Sequence, residues 1–501
     1  MYRENYVMWY DNLENKRLWS IFEEIEQIPR ESGNEEGVRQ YLLKWGKEHD
    51  LETIVDKVGN VIMKCPATEG LEGLPSIALQ GHMDMVCVKR DGSNHDFTKD
   101  PIEVVEENGI IRAKDTSLGA DNGIAIALIL DIFSDPDAKH GKLEGIFTVA
   151  EETGLTGAFG IDASLIESKR LLNLDSEEEG IFYIGCAGGI EIDAELHVNL
   201  RDADGEFAST VDQPDGLTKF VNDGKFLRVV VSGLLGGHSG GEIHKERANA
   251  INVLARYLNR LPEYNIAAIS GGTRRNVIPS HAEAIIQVRD TDSAISLAKN
   301  LLEELKGEYK LSDPDINLTV TPCEPLEKVI DRRISSRIAD LLFTSPVGVQ
   351  AMSLALDGVV ETSDNLAIVE MEGDTVKVIW SVRSSVESAK LNLAYKIQTL
   401  AEGFGFKTVL SGGYPSWQPN PKSKFTKEVA AAYKKYTGKK PVITAIHAGL
   451  ECGIINKAVE GMDSLSIGPN LFDVHSVNEH VEAKSAERIA AFVKNMLKDV
   501  R

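Results

Sequence analysis

Between residues 18 and 28 the apolar side chains Leu18, Ile21, Phe22, Ile25 and Ile28 recur every three or four positions, which predicts an amphipathic helix that Pro29 stops. After Ser32-Gly33-Asn34 a second helix is predicted over 35–49, with Val38, Tyr41, Leu42 and Trp45 on one face. Short strands follow at 52–56, 61–64 and 76–80. The apolar run 124–132 predicts a helix that starts straight after Asp121-Asn122-Gly123. A strand over 143–150 ends at Glu151-Glu152, and a strand over 170–174 ends at Asp175. Strand, helix and strand, with polar groups at the strand ends, predict an α/β sheet whose site lies at its carboxyl edge.

The pattern changes after Gly188-Gly189. Strands are predicted near 190–199, 226–233, 282–289 and 316–321, with helices near 245–260 and 292–308. A second round follows, with a helix near 327–343, strands near 359–370 and 375–382, and a helix near 386–402. Each round resembles a ferredoxin-like β-α-β-β-α-β unit on one face of a small antiparallel sheet. The acidic, glycine-bearing stretch 201–223 reads as an exposed loop. From about 407 the chain returns to strand and helix. The expected organisation is an α/β catalytic domain of the phosphorylase/hydrolase-like kind over 1–188 and 407–501, interrupted by an inserted α+β lid domain over 189–406.

Composition narrows the class. A chain of 501 residues exceeds one ordinary core, so two or more domains are expected. With 42% hydrophobic and 26% charged residues it has the balance of a soluble globular protein. The net charge of -23 argues against nucleic acid or an anionic membrane as partner. Cys65, Cys87, Cys186, Cys323 and Cys452 are scattered and form no C-x-x-C pair, so neither a disulfide framework nor a thiolate metal site is indicated. Residues 1–30 carry charges throughout without the apolar core of a signal peptide, and no apolar run is long enough to span a membrane. A reducing, cytoplasmic location is expected.

The polar groups at the strand ends carry the chemistry. They are His82, Asp84, Asp121, Glu151, Glu152, Asp175 and His475, each in or beside a glycine-bearing loop. His82 and Asp84 stand two apart, so the carboxylate can accept the free ring N–H and fix the tautomer. Two imidazoles with several carboxylates and no thiolate suit zinc, manganese or cobalt in a catalytic site. The adjacent acids Glu151 and Glu152, on an extended stretch, are expected to point opposite ways, one to metal and one to substrate. Two divalent ions are balanced by Asp121, Glu152, Asp175 and one bridging hydroxide, with both histidines neutral. Any one of these acids alone reads as a solvated surface charge, but together they punctuate apolar strands.

These residues also carry a resemblance. The chain resembles the M20 family of metallopeptidases, and within it the aminoacyl-histidine (Xaa-His) dipeptidases of the peptidase D, carnosinase-like kind. The matching segments are Gly81-His82-Met83-Asp84-Met85, Leu118-Gly119-Ala120-Asp121-Asn122-Gly123, Glu151-Glu152-Thr153-Gly154 and Asn173-Leu174-Asp175-Ser176-Glu177-Glu178-Glu179-Gly180. Gly236-Gly237-His238-Ser239-Gly240-Gly241-Glu242-Ile243-His244 and His447-Ala448-Gly449-Leu450-Glu451-Cys452-Gly453 complete the set.

The resemblance implies that His82, Asp121 and Asp175 bind one metal and Asp121, Glu152 and His475 a second, with Asp121 bridging and a cis peptide bond after it. It implies Asp84 as the partner of His82, Glu151 as general base, and His238 as the lid histidine that polarises the scissile carbonyl. Asn276 would contact the substrate, while Arg383 and the Gly449 backbone would hold its terminal carboxylate. Taken alone, those three residues read as a loop cap, a surface ion pair and a tight turn.

The expected function is dinuclear metal-dependent hydrolysis of Xaa-His dipeptides such as β-Ala-His, with zinc as the default ion and a monomer or homodimer as the assembly. The alternative is an N-acyl amino acid deacylase or a broad aminopeptidase on the same scaffold. A metal-free carboxylate-pair glycosidase would survive chelation. A binding protein on a decayed scaffold would have no need of Glu151. His95, His140, His281 and His480 read as surface or loop residues, and His244 as a neighbour of His238. Cys186 reads as a packing residue, and Tyr414 and Trp417 as turn anchors.

Overall fold

A computed structural model describes residues 8–203 and 224–501. The described residues divide into two compact units. The first comprises the chain up to Cys186 together with Trp417–Ile446 and Leu450–Arg501. The second comprises Ala187–Ser416 with His447–Gly449. Most of the predicted loop 201–223 lies outside the described residues; its start belongs to the strand Leu200–Asp202, which pairs with Lys328–Ile330.

The first unit is built on an eight-stranded mixed sheet. Its order runs Glu52–Val55, Val61–Cys65, Leu143–Thr148, Ile77–His82, Arg170–Asn173, Asp463–Ser466, Ile181–Cys186, Val442–Ile446. Ile77–His82 is parallel to both neighbours, and all six of its residues are buried, as a strand covered on both faces requires. The helix Lys16–Glu26 turns Leu18, Trp19, Ile21, Phe22 and Ile25 inward, each worth about 1.5–3 kcal/mol when fully buried. It packs on Ala120–Phe133, which is apolar almost all round. That helix approaches the central strand closely: a Cβ at Gly81 would lie 2.7 Å from the Ala125 methyl, so only glycine fits there. Register sets His82 opposite Thr148 and Gln80 opposite Asn173, so the carboxyl ends of three parallel strands lie side by side. A separate four-stranded sheet, Leu471–Phe472, His480–Glu482, Ile110–Ala113 and Val104–Glu107, has no counterpart in the sequence prediction because its strands are short.

The second unit is an antiparallel sheet with helices, made of two β-α-β-β-α-β folds, one nested inside the other. The inner one runs Lys225–Ser232, Ala250–Arg260, Asn265–Gly271, Ala282–Val288, Thr291–Glu308, Asn317–Pro322. The outer one runs Gly188–His197, Arg332–Thr344, Val360–Glu372, Thr375–Ser384, Glu387–Gly403, Lys407–Tyr414. In each the fourth strand lies beside the first, then the third, then the second. The second strands meet edge to edge through Ser270–Glu370 and Gly271–Val369.

Two sequence expectations change here. The strand near 190–199 opens the outer fold rather than the inner one, and Asn265–Gly271, which the prediction lacks, takes its place. The return to the first unit falls near Trp417 rather than 407, because Lys407–Tyr414 pairs with Gly188–His197.

The second unit's core holds one costly group. Asp364, on the central strand Val360–Glu372, is fully buried, and neither carboxylate oxygen makes a well-formed hydrogen bond. Burial pushes its carboxyl well above the ordinary value, with only the Asn365 amide pulling the other way. The folded chain keeps a proton there that the unfolded chain releases above about pH 4, so the group's contribution to stability falls as pH rises from there towards the folded value. Asp364→Asn is therefore expected to raise the melting temperature, by about 1–3 kcal/mol of stability near pH 8 and less near pH 5. Thermal melts at the two pH values check this; a variant that melts lower at both would mean the ionised carboxylate has a partner.

Candidate metal centre

Five side chains converge at the carboxyl edge of the first unit's sheet. His82 ends one parallel strand, and its Nε2 lies 3.1 Å from Asp121 Oδ1 and 3.4 Å from Asp175 Oδ1. His475 Nε2 lies 3.2 Å from Asp121 Oδ2 and 2.9 Å from Glu152 Oε1. Asp121 thus turns one oxygen to each imidazole. Two ligand groups result, His82 with Asp121 and Asp175, and His475 with Asp121 and Glu152, each with its donor atoms within 4.8 Å of one another. Glu151 comes within the same distance of His82 and Glu152.

The donor set fits divalent ions. Asp175 Oδ1 is buried with no well-formed hydrogen bond, His82 Nε2 standing 3.4 Å away, and the atoms around it are oxygens and imidazole nitrogens with no thiolate. The titration behaviour has the same origin. Burial and the nearby Asp121 and Glu152 push Asp175 up to about 7, although His82 pulls it down. His475, bonded to Asp121 and Glu152, is pushed up to about 11. Crowded carboxylates make both imidazoles take up protons, and cations in their place would satisfy the same field.

The backbone around these ligands is held by buried polar groups. His82 Nδ1 lies 3.1 Å from the Asp84 main-chain oxygen and 3.4 Å from its carboxylate, so the carbonyl, more than the expected carboxylate, fixes the ring. The Asp84 carboxylate instead accepts from the amides of Glu151 and Glu152, at 3.0 and 3.2 Å, and from the Ser32 hydroxyl at 2.7 Å. Despite burial, His82 and these donors hold it down at about 2. The expectation that Glu151 and Glu152 lie on an extended stretch does not hold. The strand Leu143–Thr148 has ended, Ala150 is left-handed with φ 48, and the two acids enter a turn with both amides on one carboxylate. The Asp121–Asn122 peptide bond is cis.

Three supporting groups escaped the sequence reading. Arg30, with its side chain fully buried against Glu26 at 2.7 Å, donates to the carbonyls of Gly119 at 2.5 Å, Asp84 at 3.3 Å and Met83 at 3.4 Å. Glu479 accepts from the amides of Leu118, Gly119 and Asp121 at 2.8, 2.9 and 3.2 Å. Glu451 accepts from Gln80 at 2.5 Å and Thr148 at 2.7 Å, and burial pushes it up to about 7. A buried Glu-x-x-x-Arg spacing or a glutamate four residues after a histidine is too common to single out by pattern. His140, expected at the surface or in a loop, lies in a loop but is buried, with Nδ1 2.8 Å from the Gly141 carbonyl. His244 is exposed and Cys186 is buried.

His238, Asn276, Arg383 and Gly449 all belong to the second unit. Asn276 is exposed, and its carbonyl accepts from the Ser239 amide at 2.9 Å, which ties its loop to that of His238. Arg275 beside it is anchored by Glu191 and by Asp193 at 2.8 Å. Arg383 is 9% exposed; Nη1 donates to the Tyr414 hydroxyl at 2.7 Å, while the buried Nε makes no hydrogen bond. His447, two residues before Gly449, pairs with the Ser363 hydroxyl at 2.7 Å.

Residues 78–499 match the family model of peptidase family M20/M25/M40. The chain is 37% identical over 488 residues to a cytosol non-specific dipeptidase from Escherichia coli, covering 96% of this chain and 97% of that one. The structure of an aminoacylhistidine dipeptidase from Vibrio alginolyticus superposes with a TM-score of 0.89 at 33% identity over 99% of both chains. A tripeptidase from Staphylococcus aureus shares the fold, with a TM-score of 0.55 at 17% identity, over 97% of this chain and 99% of that one.

Asp84→Asn keeps the shape of the side chain but sets an amide NH2 against one of the two main-chain donors, the Glu151 N–H at Oδ1 or the Glu152 N–H at Oδ2. Metal affinity measured by chelator competition is expected to fall about 10–100-fold, with the fold retained by circular dichroism.

Proposed function

The chain belongs to peptidase family M20/M25/M40, and on that premise we propose that it is a metal-dependent dipeptidase acting on Xaa-His substrates such as β-Ala-His. The observation that carries the reading is Asp121, whose two oxygens face two separate histidines. Two relatives that align over nearly their whole length are dipeptidases by name. His82 and Asp175 would share one ion with Asp121, and Glu152 and His475 the other, with zinc as the proposed ion and manganese or cobalt also suited to these donors. Bound ions would supply the positive charge that polarises the scissile carbonyl and makes water a nucleophile near neutral pH.

The chain's own groups do the rest. Glu151 takes the proton of the attacking water and delivers it to the leaving amine. Burial raises its carboxyl well above the ordinary value, with Asp175, Glu451 and Glu152 adding to this and His82 pulling the other way. Asp84 holds the Glu151 amide and so aims that base. We assign His238 to the substrate carbonyl, Asn276 to the substrate backbone, and Arg383 with the Gly449 amide to the terminal carboxylate. The free Nε of Arg383 supports the last assignment, because a guanidinium fork with a spare donor suits a carboxylate. Among the described residues no helix is long and apolar enough to cross a membrane, and we propose a cytoplasmic enzyme acting as a monomer or homodimer.

The purified chain is expected to cleave β-Ala-His and other Xaa-His dipeptides, to lose activity on chelation, and to regain it with zinc, manganese or cobalt. Glu151→Gln should lower kcat by about 10²–10⁴-fold while metal content stays the same. Cleavage of N-acetyl amino acids but not dipeptides would replace this reading with the deacylase, and activity that survives chelation would remove the metal from the mechanism.

A further inference from the structure

His238 lies in the loop Gly236-Gly237-His238-Ser239-Gly240-Gly241, and its ring is gripped from one side. The main-chain N–H groups of Gly240 and Gly241 both donate to Nδ1, at 3.1 and 3.0 Å. A ring nitrogen that accepts hydrogen bonds through its lone pair carries no proton. We propose that these two amides fix His238 as a neutral imidazole with its single proton on Nε2. The ring is then a standing hydrogen-bond donor to the substrate oxygen whose strength does not vary with pH. That use of the donor rests on the dipeptidase reading; the tautomer does not.

Glycine is needed for this grip. A Cβ at Gly240 would collide with the His447 carbonyl and lie 3.0 Å from His238 Cε1, so the amide can pass under the ring only without a side chain. At Gly241 a Cβ would meet nothing closer than Nδ1 at 3.8 Å, an ordinary contact. The Gly241 position therefore accepts alanine, which keeps the N–H, and its N–H can be deleted with proline.

Burial and the nearest cation of this unit act in the same direction, against one carboxylate. Burial and then the Arg383 guanidinium push His238 below its ordinary value, and Glu242 pulls the other way. Glu242, however, spends Oε2 on the His238 main-chain amide at 3.0 Å and Oε1 on Lys245 and Arg247 at 2.7 and 3.2 Å. His447 adds no positive charge, because burial pushes it down to about 3. An imidazolium at 238 would break two amide hydrogen bonds and stand against Arg383.

The test is nitrogen NMR on the whole chain carrying nitrogen-15 histidine, with the 238 signal assigned by its loss in His238→Gln. The wild type and Gly241→Ala should show one proton, on Nε2, throughout about pH 6–8. Gly241→Pro should raise the ring's pKa by roughly one unit, a tenfold shift in its protonation equilibrium, and put an acid limb of the same size on kcat. An imidazolium or an Nδ1 proton in the wild type, or an unmoved pKa in Gly241→Pro, overturns the proposal. Should Gly241→Pro fail to fold, the wild-type titration decides: a ring pKa at or above about 6.5 overturns it. A chain that cleaves no dipeptide would end the dipeptidase reading and leave the tautomer result standing.

Discussion

The constraint that organises the first unit is repulsion among buried carboxylates. Asp84, Asp121, Glu151, Glu152, Asp175 and Glu451 crowd round two imidazoles, with most of their side chains out of solvent. Left to relax, such a cluster would open towards water. The fold prevents this with main-chain donors and one buried cation. Asp84 is tied to two amides, Glu479 to three, and Arg30 clamps the carbonyls of both ligand loops. Each of these ties holds the backbone beside one of the clustered side chains.

How much of this was legible in the sequence depends on what a residue looks like without its neighbours. His82 and Asp175 were legible because each ends an apolar strand, a break in pattern that survives in one dimension. Glu479 and Arg30 were not, since a buried charge reads as a surface charge until the chain folds over it. The alternation argument for Glu151 and Glu152 failed for a local reason: the left-handed Ala150 ends the extended run one residue before them. The resemblance to a known family singled out His238, Asn276, Arg383 and Gly449 of the second unit, which periodicity alone would have left as loop caps and ion pairs.

The inserted unit shows the limit of reading repeats by eye. Its two folds share a strand order but no visible sequence likeness, and nesting hides the boundary between them. The strand Gly188–His197 sits next to the inner fold in sequence and next to the outer fold in space. Pattern identifies strands, whereas partner choice across about a hundred residues or more comes from packing that a single sequence does not display.

The sheet order of the first unit also sets a timetable for synthesis. Asp463–Ser466 slots between Arg170–Asn173 and Ile181–Cys186, and His475 and Glu479 come later still. At ~5–20 residues per second, the ribosome makes Asp175 roughly 15–60 s before it makes His475. For that interval the early acids have neither their last imidazole nor the glutamate that caps Asp121. The nascent chain therefore carries its most repulsive residues on an unfinished sheet. The whole of Ala187–Ser416, most of the second unit, is made within that interval.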